Sequence, residues 1–285
     1  MNDRDLPSAL RRLAAFTDDP RGGNRAGVWI GDTLPPPDEM QRIATVVGYS
    51  ETAFLAHTGG PRYRTRYFSP AAEVSFCGHA TIAAGVVLGE LHGPGAYVLS
   101  TVPGDVGVQV SSRDGLMAAS LTSVEPRYRE PEPDLLAAIL EALGWDPALL
   151  DPALPPALAY AGAWHVVLAV RALDTLQSMT YDFAALRSIM ESADLTTAQL
   201  VWRESEGVFH SRNPFPVGGV VEDPATGAAA AALGGYLRDA GRVAAPTRFL
   251  IRQGEAMGRP SRIEVEVPAS GGIVVTGTAV SVEPP

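Results

Sequence analysis

The sequence predicts an α/β protein of two similar domains, each a sheet wrapped around one buried helix. Short β-rich runs bounded by glycine or proline occur in both halves of the chain. Each half also has one long, small and almost uncharged segment, 78–91 and 226–240. A helix that is apolar on every side must be buried on every side. A polar, proline-rich stretch, 125–133, is typical of a linker between the halves.

We therefore predict an N-terminal domain at residues 1–122 and a C-terminal domain at 123–271. In an alternative division, the last strand, 272–283, joins the N-terminal domain.

The first half is predicted to contain one further helix and six strands. The helix, 36–47, has proline and acidic residues in its first turn. The strands are 26–30, 52–56, 62–68, 97–100, 106–110 and 116–121.

The second half is likewise predicted to contain one further helix and six strands. A helix at 134–143 ends at Gly144, a residue typical of a helix C-cap. The strands are 164–170, 199–203, 208–212, 248–252, 262–267 and 273–280.

The composition excludes several classes of enzyme. Of 285 residues, 46% are hydrophobic and 19% charged, which suits a compact soluble protein. All 22 basic residues are arginine. Mechanisms that need a lysine amine are therefore excluded, including pyridoxal-phosphate, Schiff-base and P-loop chemistry. Arginine-biased codon usage also accounts for the missing lysines.

Charge and cysteine content indicate the compartment and the partners. The formal charge is −10, and the sequence has no basic run of the kind that binds nucleic acid. The single cysteine, Cys77, cannot form an intramolecular disulfide, which indicates a reducing compartment. Neither a signal peptide nor a stretch of ~20 apolar residues is recognisable. We expect a cytoplasmic protein with no membrane or nucleic-acid partner.

Polar residues at the starts of the two buried helices are candidate site residues. A helix N-terminus offers unpaired N–H groups and partial positive charge to a carboxylate or an oxyanion. Cys77, Gly78 and His79 stand at the first start. Glu222, Asp223, Thr226 and Gly227 stand at the second. Each has a structural alternative: Asp223 as a helix cap, His79 as an ordinary hydrogen-bonding residue, and Cys77 as a small buried side chain.

Glu51 is the third candidate, because it follows a helix and opens an apolar strand. A glutamate at such a position can simply be exposed. In a closed cleft its pKa would rise above ~4.3, toward that of a useful base.

Metal and cofactor motifs are missing from the sequence. The five histidines lack His-x-x-x-His spacing, and no Gly-x-Gly-x-x-Gly or Gly-x-Ser-x-Gly motif occurs. We predict neither a cofactor nor a metal. A thiol hydrolase built on Cys77 is disfavoured, since its triad would need a histidine from elsewhere.

Five blocks, in order, resemble the PhzF-like (phenazine biosynthesis) family. They cover most of the chain, and their order makes the resemblance strong. The blocks are 23–28 (GNRAGV), 50–54 (SETAF), 66–70 (RYFSP), 73–81 (EVSFCGHAT) and 222–227 (EDPATG).

The resemblance implies a diaminopimelate-epimerase-like fold, with two mostly antiparallel α/β domains and an active site between them. It also implies cofactor-independent isomerase chemistry on a small carboxylic acid, and a homodimer. Glu51 matches the family's acid/base glutamate, and His79 and Asp223 match polar residues of its catalytic cleft. The implied substrate-binding residues are Asn24, Ser50, Cys77, Gly78, Thr226, Gly227 and Ala228.

The sequence departs from related sequences at several positions, which limits the reactions that can be expected of it. A racemase that uses two thiols is excluded, because the chain has one cysteine. Arg25 stands where the family commonly has proline, and Ala228 where it commonly has serine. Arg25 could bind a substrate carboxylate or face solvent. A non-catalytic protein that binds small carboxylates on the same fold is the alternative function.

Overall fold

The computed structural model describes residues 6–283. The pattern of contacts within the chain divides these residues into two units. The first comprises the described residues up to Leu121 together with those from Thr276 onward. The second is Thr122–Val275.

The first unit contains two helices and the strands of a ring. In chain order the elements are β1 (Leu10–Ala15), β2 (Asn24–Gly31), α1 (Pro37–Val47), β3 (Glu51–Gly59), β4 (Arg62–Phe68), β5 (Glu73–Val74), α2 (Gly78–His92), β6 (Gly95–Thr101), β7 (Gly104–Arg113), β8 (Leu116–Thr122) and β18 (Val274–Ser281).

Eight strands of this unit close into a ring around α2. Their order is β1-β2-β3-β4-β6-β7-β8-β18, and β18 pairs back with β1. The pairs β2–β3 and β4–β6 are parallel, whereas β1–β2, β3–β4, β6–β7 and β7–β8 are antiparallel. Helix α2 is buried continuously from His79 to Gly89, as its all-round apolar sequence predicts.

A glycine allows α2 to approach the surrounding strands. A Cβ at Gly85 would lie 2.7 Å from Cγ1 of Val108 and 2.8 Å from Cβ of Ala119. Helix α1 belongs to a separate core cluster, in which Met40 and Ile43 are buried with Phe54 and Phe68.

The second unit also has a central helix and a sheet. Its elements are β9 (Arg127–Arg129), α3 (Pro133–Leu143), β10 (Ala157–Tyr160), β11 (Trp164–Val170), α4 (Leu173–Gln177), α5 (Phe183–Ser192), β12 (Thr197–Ser205), β13 (Val208–Arg212), β14 (Pro214–Phe215), β15 (Val220–Glu222), α6 (Gly227–Asp239), β16 (Thr247–Gln253) and β17 (Ser261–Val267).

The sheet of this unit has the strand order β17-β16-β13-β12-β11-β10-β9. Helix α6 packs against β9, β10, β11, β12 and β17, and is buried from Ala229 to Leu237. Helices α3, α4 and α5 contribute to a second core cluster that includes Ile139, Leu168, Leu186 and Met190.

The two units repeat one arrangement of strands and helix. In each unit, successive strands pair in the order antiparallel, parallel, antiparallel and parallel. The central helix lies in the connection between the strands of that second pair, α2 between β4 and β6 and α6 between β13 and β16. Parallel neighbours need such a crossover. The predicted α/β class, mostly antiparallel with one central helix in each unit, is confirmed.

The predicted linker at 125–133 is wrong, because it contains a strand. Residues Arg127–Arg129 form β9 and pair with β10. The guanidinium of Arg127 lies 4.5 Å from the ring centroid of Tyr160 and 5.3 Å from that of Trp164. A polar edge strand held by cation–π contacts has the composition of a loop, which explains the error.

Strands β1 and β10 and helices α4 and α5 were not predicted. In β1, the adjacent Arg11 and Arg12 interrupt the alternation by which a strand is recognised. Among the described residues, no helix has both the length and the apolar character needed to cross a bilayer.

Candidate functional site

Six of the predicted site residues lie in the first unit, where two parallel strands begin. Asn24 is the first residue of β2, and Glu51 is the first residue of β3. The register places Ala26 opposite Glu51, so both strands start at the same edge of the sheet. Ser50 directly precedes Glu51 and is exposed. Parallel pairing thus brings together residues that are more than 25 positions apart.

The start of α2 supplies the remaining three residues. Cys77 is the N-cap, with extended backbone, and Gly78 and His79 open the helix. Thr81 anchors this turn, since its hydroxyl and its N–H both donate to the carbonyl of Cys77, at 2.7 and 3.0 Å. Apart from its chain neighbours and the backbone of α2, no atom lies within 4 Å of the position that a Cβ of Gly78 would occupy. The first-turn N–H groups of a helix lack partners within the helix and can bind an anion.

His79 contacts three polar side chains besides Cys77. Its Nε2 lies 3.2 Å from Oγ of Ser50 and 3.4 Å from Oε2 of Glu51. Its Nδ1 lies 3.3 Å from the amide nitrogen of Asn24. Because an amide nitrogen donates, Nδ1 is the acceptor, and the proton of the neutral ring is on Nε2. That proton is directed toward Ser50 and Glu51.

Cys77 completes what we call the Glu51–Cys77–His79 cluster. Its Sγ lies 3.3 Å from Nδ1 of His79 and donates to Oε2 of Glu51 at 3.5 Å. Cys77 and His79 are 8% and 7% exposed, whereas the Glu51 side chain keeps 19% of its surface exposed. Glu51 is therefore oriented by two neighbours and can still meet a small molecule.

The cluster also corrects one argument made from the sequence. A thiol–histidine pair was disfavoured because the histidine would have to come from elsewhere, yet His79 itself is within reach of the Cys77 thiol. One ligand atom from each of the three residues lies within 4.8 Å of the others, although the sequence shows no metal-binding spacing.

The other predicted site residues lie in the second unit, at the start of α6. Thr226 is the N-cap, and Gly227 and Ala228 form the half-buried first turn. Asp223 accepts a hydrogen bond from the Thr226 hydroxyl at 2.6 Å, and its own N–H donates to the carbonyl of Asn213.

Gln253 organises this loop, and sequence reasoning missed it. Its amide nitrogen donates to the carbonyl of Asp223 at 2.7 Å and to the hydroxyl of Thr226 at 3.0 Å. Its carbonyl accepts the N–H of Thr226 at 3.3 Å. Gln253 is 1% exposed. An amide at the end of an apolar strand, before a glycine, is the signal that could have indicated it.

A buried ion pair fixes the strand that leads into Asp223. Arg212 donates to both oxygens of Glu222, with a shortest distance of 2.7 Å, and the Glu222 side chain is 3% exposed. Arg212 also donates to the backbone carbonyls of Leu176, Gln177 and Met179. These bonds tie β15 to β13 and α4, which determines where the loop begins.

Arg25, an open candidate for carboxylate binding, is half-buried. Its guanidinium lies 5.8 Å from the ring centroid of Tyr49, a cation–π contact in the first unit. This contact accounts for part of the arginine's surface without invoking a ligand.

Comparison with known proteins supports the resemblance found in the sequence. The uncharacterized isomerase YfhB of Bacillus subtilis is 32% identical over 281 residues, covering 94% of each chain. The trans-2,3-dihydro-3-hydroxyanthranilate isomerase of Pseudomonas fluorescens is 31% identical over 253 residues, covering 87% of this chain and 86% of that protein. The crystal structure of a PhzF-family phenazine biosynthesis protein from Bacillus anthracis matches with a TM-score of 0.85 and 26% identity, covering 96% of each chain.

The family described as phenazine biosynthesis-like protein matches residues 13–284. The match spans nearly the whole sequence and includes both central helices and every predicted site residue. The chain therefore belongs to the phenazine biosynthesis-like (PhzC/PhzF) family.

Proposed function

We propose that this protein is an isomerase that moves a proton on a small carboxylic acid, with Glu51 as the acid/base residue. The observation that carries the proposal is the position of the Glu51 carboxylate. It is held by His79 and Cys77 beside the start of a buried helix, and it is partly exposed. The isomerase names of relatives at 31–32% identity support the same reaction class.

The reaction begins with removal of a proton from carbon. A carboxylate can do this only where the resulting enolate-like charge is stabilised. The N–H groups in the first turn of α2 supply fixed positive potential for that charge, or for the carboxylate of the substrate. Because these donors are already oriented, they cost no reorganisation during the reaction.

Proton return completes the cycle. Glu51 takes the proton, and the C–H electron pair moves into the adjacent unsaturated system. The protonated Glu51 then delivers the proton to the other end of that system. The step needs no oxidant or reductant. His79, whose Nε2 lies 3.4 Å from Oε2 of Glu51, holds the Glu51 carboxyl group in place between the two transfers.

We propose that Asp223, Thr226, Gly227 and Ala228 contact a small carboxylic-acid substrate, as the family resemblance implies. The support from the second unit is that these residues also lie at a helix start, in a loop held by Gln253. The measurement is turnover by Asp223→Asn, whose side chain keeps the size of aspartate and loses its charge.

The test of the function is deuterium exchange. The purified protein is incubated in D₂O with unsaturated amino and hydroxy acids, among them trans-2,3-dihydro-3-hydroxyanthranilate, and deuterium entry is followed by NMR. Glu51→Gln removes the base with little change in shape and should abolish exchange. Glu90→Gln, at an exposed position of α2, is the matched control and should exchange like the wild type. Wild-type exchange by Glu51→Gln would contradict the proposal.

Two other outcomes identify alternative functions. Saturable binding of an acid without exchange would favour a non-catalytic carboxylate-binding protein. The 3.3 Å separation of Cys77 and His79 specifically favours a thiol hydrolase as the second candidate. A hydrolase would accumulate a covalent adduct on Cys77, which mass spectrometry of the intact protein would detect.

We further propose that the protein is a cytoplasmic homodimer. The family resemblance supports the dimer, and the single cysteine supports a reducing compartment. Light scattering coupled to gel filtration measures the mass directly, and a mass near 30.0 kDa would contradict the dimer.

A further inference from the structure

We propose that His210 positions Asp223 through the turn 254–257, and that this positioning requires a doubly protonated imidazole ring. The link between His210 and the loop of Asp223 stands on the geometry of the second unit alone. Its effect on turnover rests on the proposed function, because it requires Asp223 to contact the substrate.

His210, in β13, lies between two carboxylates. Its Nδ1 is 2.9 Å from Oε2 of Glu255, and its Nε2 is 2.8 Å from Oε2 of Glu204. An ionised carboxylate only accepts, so both contacts are hydrogen bonds only when both ring nitrogens carry protons. His210 is 9% exposed, which limits competition from water for these charge-assisted bonds. The geometry therefore fits an imidazolium ion held on both sides.

The two carboxylates differ in how firmly they are held. Glu204 also accepts a hydrogen bond from Arg252 of β16, at 3.1 Å. Within residues 6–283, the side chain of Glu255 has no partner other than His210. A ring with a single proton therefore keeps its bond to the anchored Glu204 and releases Glu255.

The remaining charged groups on the elements around His210 are engaged elsewhere or exposed. Arg212, two residues along β13, is held by a buried ion pair. Arg203 of β12 lies over a phenylalanine ring. Asp174 belongs to α4, which packs against β13, and is exposed. The response to the ring proton is therefore confined to the carboxylates of Glu204 and Glu255 and to Arg252.

The turn that carries Glu255 touches the candidate site. Gly254 has a left-handed φ of +75°, and a Cβ there would lie 2.8 Å from the carbonyl oxygen of Pro224. Gln253, one residue earlier, donates to the carbonyl of Asp223. The turn thus meets the loop of Asp223 both through its backbone and through the Gln253 side chain.

A cavity beside the turn gives it room to move. The cavity has a volume of about 340 Å³, and its lining includes Glu255 and Ala256 of the turn, Leu173 and Gln177 of α4, and His210. Once the bond from His210 to Glu255 is lost, the turn can shift into this space without displacing packed side chains.

Turnover should therefore fall as pH rises through the titration of His210. The protonated ring holds Glu255, and the neutral ring releases it, so the active form is the one present at lower pH. Glu51 has the opposite sign, because a general base must lose its proton to act. Misplacement of a group by about 1 Å can cost ~10²-fold in rate, so we expect an alkaline loss of ~10–10²-fold in kcat/KM.

NMR of the wild type tests the link without depending on activity. The ¹⁵N-labelled full-length protein is titrated stepwise across neutral pH. The ring signals of His210 and the backbone amide signals of Gly254, Asp223 and Thr226 should then shift with one common midpoint. The amide of Gly207, in the exposed β12–β13 turn, serves as the reference for general effects of pH.

Variants of His210 separate its charge from its packing. His210→Gln has a neutral amide and should show low kcat/KM at every pH, with no alkaline fall. His210→Arg carries a permanent charge and should stay active where the wild type loses activity. A residue with a purely structural role would lower stability in both variants and leave the shape of the pH profile unchanged.

The second partner supplies a matched pair of variants. Glu255→Ala removes the same contact and should reproduce the profile of His210→Gln. Glu206→Ala, which removes an exposed carboxylate from the β12–β13 turn, is the control and should follow the wild type.

The wild-type titration decides the proposal even when a variant fails to fold. Amide signals of Asp223 and Thr226 that ignore the titration of His210 would overturn it, and so would an unchanged alkaline fall in His210→Arg. Coupled signals without any deuterium exchange would reject the proposed isomerase and keep the link. Exchange with uncoupled signals would reject the link and keep the isomerase.

Discussion

Single buried side chains determine the geometry of both groups of candidate residues. In the first unit, His79 connects Asn24, Ser50 and Glu51 through its two ring nitrogens. In the second, the amide of Gln253 holds both Asp223 and Thr226. Each is more than nine-tenths buried, so its polar atoms must find partners within the protein. Loss of either side chain would remove these contacts.

Gln253→Ala should lower the free energy of unfolding by about 1–3 kcal/mol, because it removes the hydrogen bonds of the buried amide to the carbonyl of Asp223 and to the N–H and hydroxyl of Thr226. Urea unfolding followed by tryptophan fluorescence measures the loss. Gln109→Ala, at an exposed position, is the control and should change stability by less than about 0.5 kcal/mol. Equal stability of the two variants would show that the Gln253 contacts contribute nothing.

At the scale of elements, the fit of the central helices decides which substitutions are tolerated. Helix α2 uses glycine where strands β7 and β8 approach it, whereas α6 has more room at Gly234. A Cβ at Gly234 would lie 3.0 Å from the side chain of Ile273 and 3.1 Å from that of Val265, its two nearest neighbours. At Gly85 the corresponding distances are 2.7 and 2.8 Å. Helix propensity alone would favour alanine at both positions.

Gly85→Ala should therefore destabilise the protein. The cost of overpacking, about 1–3 kcal/mol, exceeds the gain in helix propensity of about 1 kcal/mol. Thermal unfolding by circular dichroism provides the comparison with Gly234→Ala, which is expected to lose less. A Gly85→Ala variant more stable than Gly234→Ala would contradict the overpacking expected between α2 and its sheet.

At the scale of the whole molecule, stability depends on a buried histidine that is far in sequence from either helix start. His165 is 0% exposed, and its Nδ1 lies 2.8 Å from the Thr197 hydroxyl. Among the described residues, its Nε2 has no hydrogen-bond partner. Burial disfavours the charged ring and lowers the pKa of His165 from 6.5 to about 3.

This shift predicts a loss of stability in acid. Between pH 6.5 and pH 3, the unfolded chain binds a proton at His165 that the folded protein does not. Stability from this residue is therefore complete above pH 6.5 and falls by up to roughly 1.4 kcal/mol per pH unit below it.

Urea unfolding at several pH values between 7.5 and 4.5 measures this dependence. His165→Asn should show a flatter dependence than the wild type, whereas His57→Gln, at an exposed histidine, should follow the wild type. Parallel curves for the wild type and His165→Asn would reject the role of His165.

Sequence alone was sufficient for the features that depend on local pattern. The apolar segments at 78–91 and 226–240 identified both central helices, because burial on all sides requires apolar residues on all sides. The end of α3 at Gly144, which has the left-handed conformation, was also predicted from the local sequence. The blocks around Glu51, Cys77 and Asp223 identified the family, since their order is a property of the sequence itself.

Tertiary structure decided which of those residues meet. Glu51 and Cys77 are 26 residues apart, and their contact depends on the parallel register of β2 and β3 and on where α2 starts. Gln253 reaches Asp223 across 30 residues through the end of β16. Hydrophobic periodicity specifies which face of an element is buried, but not which polar groups end up at the same edge. The grouping of Glu51, Cys77 and His79 and the Arg212–Glu222 ion pair both result from ends of strands and helices that meet in the fold. No local spacing in the sequence encodes these meetings.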